Sequence, residues 1–154
     1  MKKIMILLIP FLLNGCTSNQ KISEEEVMNT LLGMFDSFSV ESSNKENFNN
    51  WVTYDYVLYE IRRTFTASEF LEFASSFYTI EDDWEFSDMT ISIDNKTAHA
   101  YFKNKGRFVT LNDGQKTLLT YEWLESAYMV KVDGKLKIKF YFSDAINQTS
   151  QQIY

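Results

Sequence analysis

The chain has 154 residues, a length that suits one domain, and its 45% hydrophobic and 16% aromatic content is enough for a core. With one proline and five glycines it is neither collagen-like nor a disordered tract. A formal net charge of −6 weighs against nucleic acid as a partner, and a single cysteine excludes an internal disulfide framework and a multi-cysteine zinc site.

Met1-Lys2-Lys3 is a short basic start, and Ile4 to Leu13 is an apolar run. A membrane-spanning helix needs about twenty residues, so this shorter run fits a secretory signal instead. Leu13-Asn14-Gly15-Cys16 resembles the bacterial lipobox, departing from it at Asn14, where alanine or serine is commoner. The resemblance implies that residues 1–15 are a lipoprotein signal peptide, that the Cys16 sulfur is diacylated (palmitate and its like), and that residues 16–22 form a lipidated tether. Acyl chains, at about 0.8 kcal/mol per buried CH₂, then hold the protein on a bilayer. Thr17, rather than aspartate, follows the cysteine. That implies a place in the cell envelope facing periplasm or exterior, at the outer membrane where the cell has one. The plainer alternative is an ordinary signal peptide with a chance cysteine.

Ser23-Glu24-Glu25-Glu26 has the pattern of a capping box, and Val27, Leu31, Met34, Phe35 and Phe38 recur at helical spacing, which predicts a helix over 23–40. The stretch 41–50 breaks it, with room for a short second turn of helix. Residues 54–61, YDYVLYEI, read as a strand. Thr66-Ala67-Ser68-Glu69 is a second capping box, opening a helix to Tyr78 with Phe70, Phe73, Ala74 and Phe77 on one side. Everything afterwards reads as sheet: 89–93, 97–109, 116–132 and 135–146, with turns at Asp94-Asn95, Asn112-Asp113-Gly114 and Asp133-Gly134. The polar tail 147–154 is expected to fray.

The turns set a register. They pair Val132 with Lys135, Ile93 with Lys96 and Asn112 with Gln115, and alternation then decides which side chains share a face. One face collects Met89, Ile91 and Ile93; Ala98, Ala100, Phe102 and Phe108; Leu119, Tyr121, Trp123, Ala127 and Met129; and Leu136, Ile138, Phe140 and Phe142. The opposite face collects His99, Tyr101, Leu124, Tyr128, Tyr141 and the alternating Lys135, Lys137 and Lys139. The expected class is α+β, early helices packed on one face of a curved, mostly antiparallel sheet.

This order of elements resembles the nuclear transport factor 2-like superfamily, the cone-shaped fold of SnoaL-like polyketide cyclases and ketosteroid isomerases. The resemblance rests on TYDYVLYE at 53–60, an aspartate-led strand, and on VDGKLKIKFYFSDAI at 132–146, a glycine-lysine hairpin running into an aromatic strand. It covers 23–146. It implies a pocket between helices and sheet, and an outer sheet face that serves a homodimer or another envelope protein.

Glu125 and Asp144 fall at inward parity, Glu125 between Phe102 and Phe142. A carboxylate against aromatic rings loses hydration and its pKa rises, which suits a general acid or base. The alternative is a bulge that shifts the register, or a Glu125 at an open, wet rim. Tyr121, Trp123, Phe102 and Phe142 are the expected pocket walls, with Asp55 as the family's strand aspartate or, more plainly, a turn residue. His99, the only histidine, points outward beside Tyr101, Leu124, Tyr128 and Tyr141, the candidate dimer or partner face. One histidine builds no metal site. No glycine-rich phosphate loop, Walker motif or Gly-x-Ser-x-Gly elbow is present, so no cofactor is implied. Three functions are compatible with this: a membrane-anchored binding domain for a small apolar ligand or a protein partner, an isomerase- or cyclase-like enzyme using a pocket carboxylate, or a structural subunit of an envelope or secretion assembly.

Overall fold

The computed structural model describes residues 21–41 and 47–154. The signal-like segment and Cys16 therefore lie outside the described residues. Ile22, assigned above to the tether, is buried in the core.

Helix α1 spans Glu24–Asp36. Ser23 Oγ accepts from the Glu26 N–H at 3.1 Å, satisfying one of the free amides of the first turn. The Glu26 side chain does not complete the box; it takes Lys131 Nζ at 3.0 Å and ties the helix to the sheet. The helix stops short of 40, where the Ser37 hydroxyl donates to the Met34 carbonyl at 2.6 Å. Val27, Leu31, Met34 and Phe35 form its buried face, each contributing about 1.5–3 kcal/mol by leaving water. Helix α2, Phe48–Trp51, is the short second turn.

Strand β1 (Val52–Glu60) forms a hairpin with β2 (Arg63–Phe65), a strand the sequence reading missed. The connecting Ile61 and Arg62 both sit at positive φ, 46° and 66°. This matches the twist of the hairpin but is strained for residues other than glycine. Helix α3, Ala67–Ser75, has a complete capping box: Thr66 N–H donates to Glu69 Oε2 at 2.7 Å and Glu69 N–H to Thr66 Oγ1 at 3.4 Å. It ends before Tyr78, whose φ of 49° breaks the helical path.

Strands β3 (Thr79–Ile93), β4 (Thr97–Asn112), β5 (Gln115–Val132) and β6 (Lys135–Ile153) form a long meander. β3 starts at Thr79 rather than at residue 89, because Trp84 and Phe86 alternate with acidic residues and a bulge at Asp88 (φ 52°) realigns the strand before Met89. β6 runs through residues 147–153, paired with β5, where a frayed tail was expected. Sheet order is β2-β1-β6-β5-β4-β3, with β1 parallel to β6 and the other pairs antiparallel. The class is the expected α+β: helices cover one face of a curved, mostly antiparallel sheet.

Val132 pairs with Lys135 and Asn112 with Gln115, as the turns predict. Ile93 pairs with Ala98 rather than Lys96, a shift of two that leaves every side chain on its expected face. Ala98, Ala100, Phe102, Ala127, Met129, Leu136 and Ile138 are all buried under the helices.

The register fails in the middle of β6. Met129 faces Ile138 but Tyr128 faces Phe140, so Lys139 is a surplus residue and the strand's parity reverses there. Phe140 and Phe142 therefore turn outward, Phe142 stacking on Tyr59 with centroids 5.8 Å apart. Asp144 is exposed on the outer face, and Tyr141, expected outside, is buried. A second shift, at Glu122/Trp123, makes Ile146 surplus as well.

A Cβ on Gly33 would collide with the Trp51 ring, so α1 and α2 approach closely only because no side chain is there. Gly33→Ala gains helix propensity of up to about 1 kcal/mol but overpacks this contact, a cost of about 1–3 kcal/mol. Urea denaturation should show a net destabilisation of about 1–2 kcal/mol.

Candidate functional site

A cavity of about 460 Å³ lies between the inner sheet face, the end of α1, α3 and the β1–β2 hairpin. That is within the range of small-molecule sites. Most of its wall is apolar, with Met34, Phe38, Leu58, Phe70, Leu71 and Leu119 among its residues. Tyr121 and Trp123 line it, as their inward parity predicts. Their rings stack at 5.0 Å, and Trp84 lies 6.0 Å from Trp123. Gly106 makes this arrangement possible, because a Cβ there would come within 2.7 Å of the Phe108 and Trp123 rings.

Two carboxyl groups share this apolar space. Glu125, 4% exposed, accepts from Tyr141 Oη at 2.7 Å and from Ser143 Oγ at 3.3 Å. Burial pushes its pKa up to about 8, against the opposing pull of the Tyr141 hydroxyl. Glu60, at the end of β1, faces the same cavity; burial raises it to about 7, while Ser143 and the Trp123 indole favour its charged form. Each charge also disfavours ionisation of the tyrosines around it. Burial first, then the two glutamates, hold the hydroxyls of Tyr56 and Tyr141 far above their ordinary range, so both stay protonated donors. Asn104, 1% exposed, stands beside Glu125 and favours its charged form, but makes no well-formed hydrogen bond at either side-chain atom. Among the described residues, no lysine, arginine or histidine lines the cavity.

Of the expected pocket residues, Glu125, Tyr121 and Trp123 come together. Phe102 points inward opposite Glu125 but is sealed against Phe86 at 5.5 Å, in the core rather than the cavity wall. Phe142 and Asp144 leave the site because of the Lys139 bulge. Asp55 also lies outside it, exposed on the outer face; the Lys139 ammonium, 2.7 Å away, holds its carboxyl below the usual range. Of the candidate partner face, Tyr101, Leu124 and Tyr128 stand exposed, and His99 bonds Ser126 Oγ at 2.7 Å. Tyr141 has moved to the cavity. Among the described residues no cluster could hold a metal ion.

Glu60, Ser143, Tyr56 and Asn104 were not anticipated. Glu60 was legible: Tyr56, Leu58 and Glu60 alternate along β1, so a glutamate shares the face of two buried neighbours. Ser143 was hidden by the bulge.

No protein-family model and no curated protein sequence matches this chain. Solved structures do. A provisionally assigned scytalone dehydratase from Novosphingobium aromaticivorans is similar over 83% of this chain and 89% of its own, at TM-score 0.61 and 14% identity. A hexachlorocyclohexane dehydrochlorinase, LinA type 2, is similar over 84% and 93%, at 0.63 and 9%. A provisionally assigned Ca/calmodulin-dependent kinase II association domain from Exiguobacterium sibiricum is similar over 83% and 98%, at 0.65 and 14%. The fold is the nuclear transport factor 2-like cone. Enzymes and an association domain share it, so it leaves the activity open.

The raised carboxyls set a direction for stability. Above their unfolded pKa the denatured chain gives up protons that the folded chain keeps, so the native state loses stability as pH rises through about 7 and about 8, the folded values of Glu60 and Glu125. The melting temperature should fall between about pH 5 and about pH 8.5, and Glu125→Gln should flatten that slope and raise the melting temperature at the alkaline end. A melting temperature that climbs across the interval contradicts the burial of these groups.

Proposed function

We propose that this chain is a membrane-anchored, extracytoplasmic binding domain that takes a small, largely apolar ligand into the cone. The observation that carries the reading is the 460 Å³ cavity with mostly apolar, aromatic walls and a hydrogen-bonded carboxyl, Glu125, among its residues. Open apolar volume costs stability, at about 24 cal/mol per Å³ in engineered cavities, and an apolar occupant offsets that cost. A purely structural subunit would be better served by a cone packed with side chains. In this reading the lipobox-like Cys16 supplies the anchor. The outer sheet face, where Tyr101, Leu124 and Tyr128 are exposed beside Phe140, is available to an envelope protein or a second copy.

A second reading has one specific support. Glu125 combines a pKa near neutrality with a Tyr141 hydroxyl at 2.7 Å, an acid–base pair suited to moving a proton beside a bound carbonyl, as in an isomerase or cyclase. It predicts that Glu125→Gln abolishes turnover of such a substrate and leaves its binding measurable.

For the binding reading, the neutral fluorophore N-phenyl-1-naphthylamine should give a saturable signal with about one equivalent bound. Ala74→Trp, which projects a ring from α3 into the cavity, should weaken it at least about tenfold with little change in melting temperature. An unsaturable signal in the wild-type chain overturns the proposal. For the anchor, radiolabelled palmitate should enter the wild-type chain in cells and not the Cys16→Ser variant; equal labelling of both removes the anchor.

A further inference from the structure

We propose that the cone's ligand is a monocationic amine, its protonated nitrogen set between Glu60 and Glu125 and its apolar body lying against the aromatic wall. The inference rests on the cone-binding reading and names the class of ligand within it.

Charge is the first argument. Glu60 and Glu125 face the cavity, Asp82 stands at its wall nearer α1, and no basic side chain among the described residues lines it. Lys103, Lys131 and Lys139 are engaged with Asp88, Glu26 and Asp55, all elsewhere. Two carboxyls drawn out of water and toward each other, with no protein cation between them, form a site whose missing partner is positive. An anionic ligand would meet repulsion from both. A neutral one would leave them protonated and gain nothing from their charge.

Hydrogen bonding is the second. A carboxylate offers about four acceptor positions, and Tyr141 and Ser143 each take one on different oxygens of Glu125. The remaining positions suit an ammonium, which brings three donors. Asn104 is a wholly buried amide beside Glu125 that makes no well-formed hydrogen bond at its oxygen or nitrogen, though its side chain favours the ionised form of Glu125. Such a group is costly unless something completes it, and an ammonium that ionises Glu125 lets the Asn104 N–H₂ complete its bond to that carboxylate.

The walls are the third. Trp84, Trp123, Tyr121 and Phe108 line the same cavity as the carboxyl pair and pack ring against ring, and aromatic faces attract a desolvated cation as well as an apolar body.

The titration follows from the groups that face this pair. β1 contributes Tyr56 and Glu60, β3 Asp82, β5 Tyr121 and Glu125, and β6 Tyr141; α1 and α3 line the cavity with uncharged side chains. The tyrosines stay protonated, so the two glutamates are the groups that change charge near neutrality. An arriving ammonium favours their ionised forms, and each glutamate that ionises gives one proton to solvent. Affinity for a cation therefore rises with pH, whereas affinity for a hydrogen-bond acceptor or an anion falls.

The test uses three ligands with one body: 1-naphthylmethylamine, 1-naphthylmethanol and 1-naphthoate. Each is titrated into the full-length chain at fixed ionic strength and read by quenching of tryptophan fluorescence. The amine should bind at least about tenfold more tightly than the other two and gain at least about fivefold between about pH 6 and about pH 8, where a primary amine stays charged. Glu60→Gln and Glu125→Gln should each cut the amine-over-alcohol preference at least about fivefold. The wild-type pH profile decides if either variant fails to fold. Equal or tighter binding of the alcohol or the naphthoate, or an amine affinity that falls with pH, overturns the cation and leaves the cone-binding reading standing. Failure of all three to saturate overturns both.

Discussion

Strand β6 sets Lys139 and Phe140 against Tyr128 of β5, and that one surplus residue turns Tyr141 and Ser143 onto Glu125. With unbroken alternation, Phe140, Phe142 and Asp144 would point into the cone instead. Glu125 would then face phenyl rings and another carboxyl with no hydroxyl to hold it. The surplus residue is itself fixed: the Lys139 ammonium reaches Asp55 of β1 at 2.7 Å, in the stretch where β1 falls out of register with β6 between Val52 and Val57. An exposed ion pair of this kind adds little stability, but it holds two irregular strands in step at the place where the site is made.

Around that constraint the cone tolerates an expensive floor. A carboxyl 4% exposed, a second carboxyl close enough to raise its pKa, and a buried amide at Asn104 without a well-formed hydrogen bond would each count against the fold if they stood alone. The cost is met in the layer beneath. Val27, Leu31, Met34, Phe35 and Phe48 pack against Ala98, Ala100, Ala127, Met129 and Ile138, dry and free of charge. Small residues on the sheet let α1 come close. The cavity opens only where α3, which buries no residue fully, replaces α1 as the covering helix.

Most of the architecture was readable from local signals. The Ser23 and Thr66 caps begin helices, Asp133-Gly134 sets the last hairpin, and strands β4 and β5 alternate so regularly that their inward residues could be named one by one. Glu125 was found this way, with Tyr121 and Trp123. Misplaced were the residues after Lys139, because Phe140-Tyr141-Phe142 are all aromatic and carry no polarity contrast to reveal a change of parity. The first half of β3 escaped notice because alternating acids masked Trp84 and Phe86, and a polar tail gave no sign that it would pair through residue 153. Bulges are settled by the neighbouring strand rather than by the strand's own residues, and no local reading contains that information.

The parallel seam between β1 and β6 joins Leu58 to Tyr141 across more than half of the chain. The meander β3–β6 grows by adjacent hairpins, each closing a short loop, but β1 has no place to dock until the last of them exists. Closing so long a segment sets back conformational entropy that contacts along the seam recover only afterwards. Glu60 lies on β1, so the two carboxyls come within reach of each other only where this long-range seam is closed.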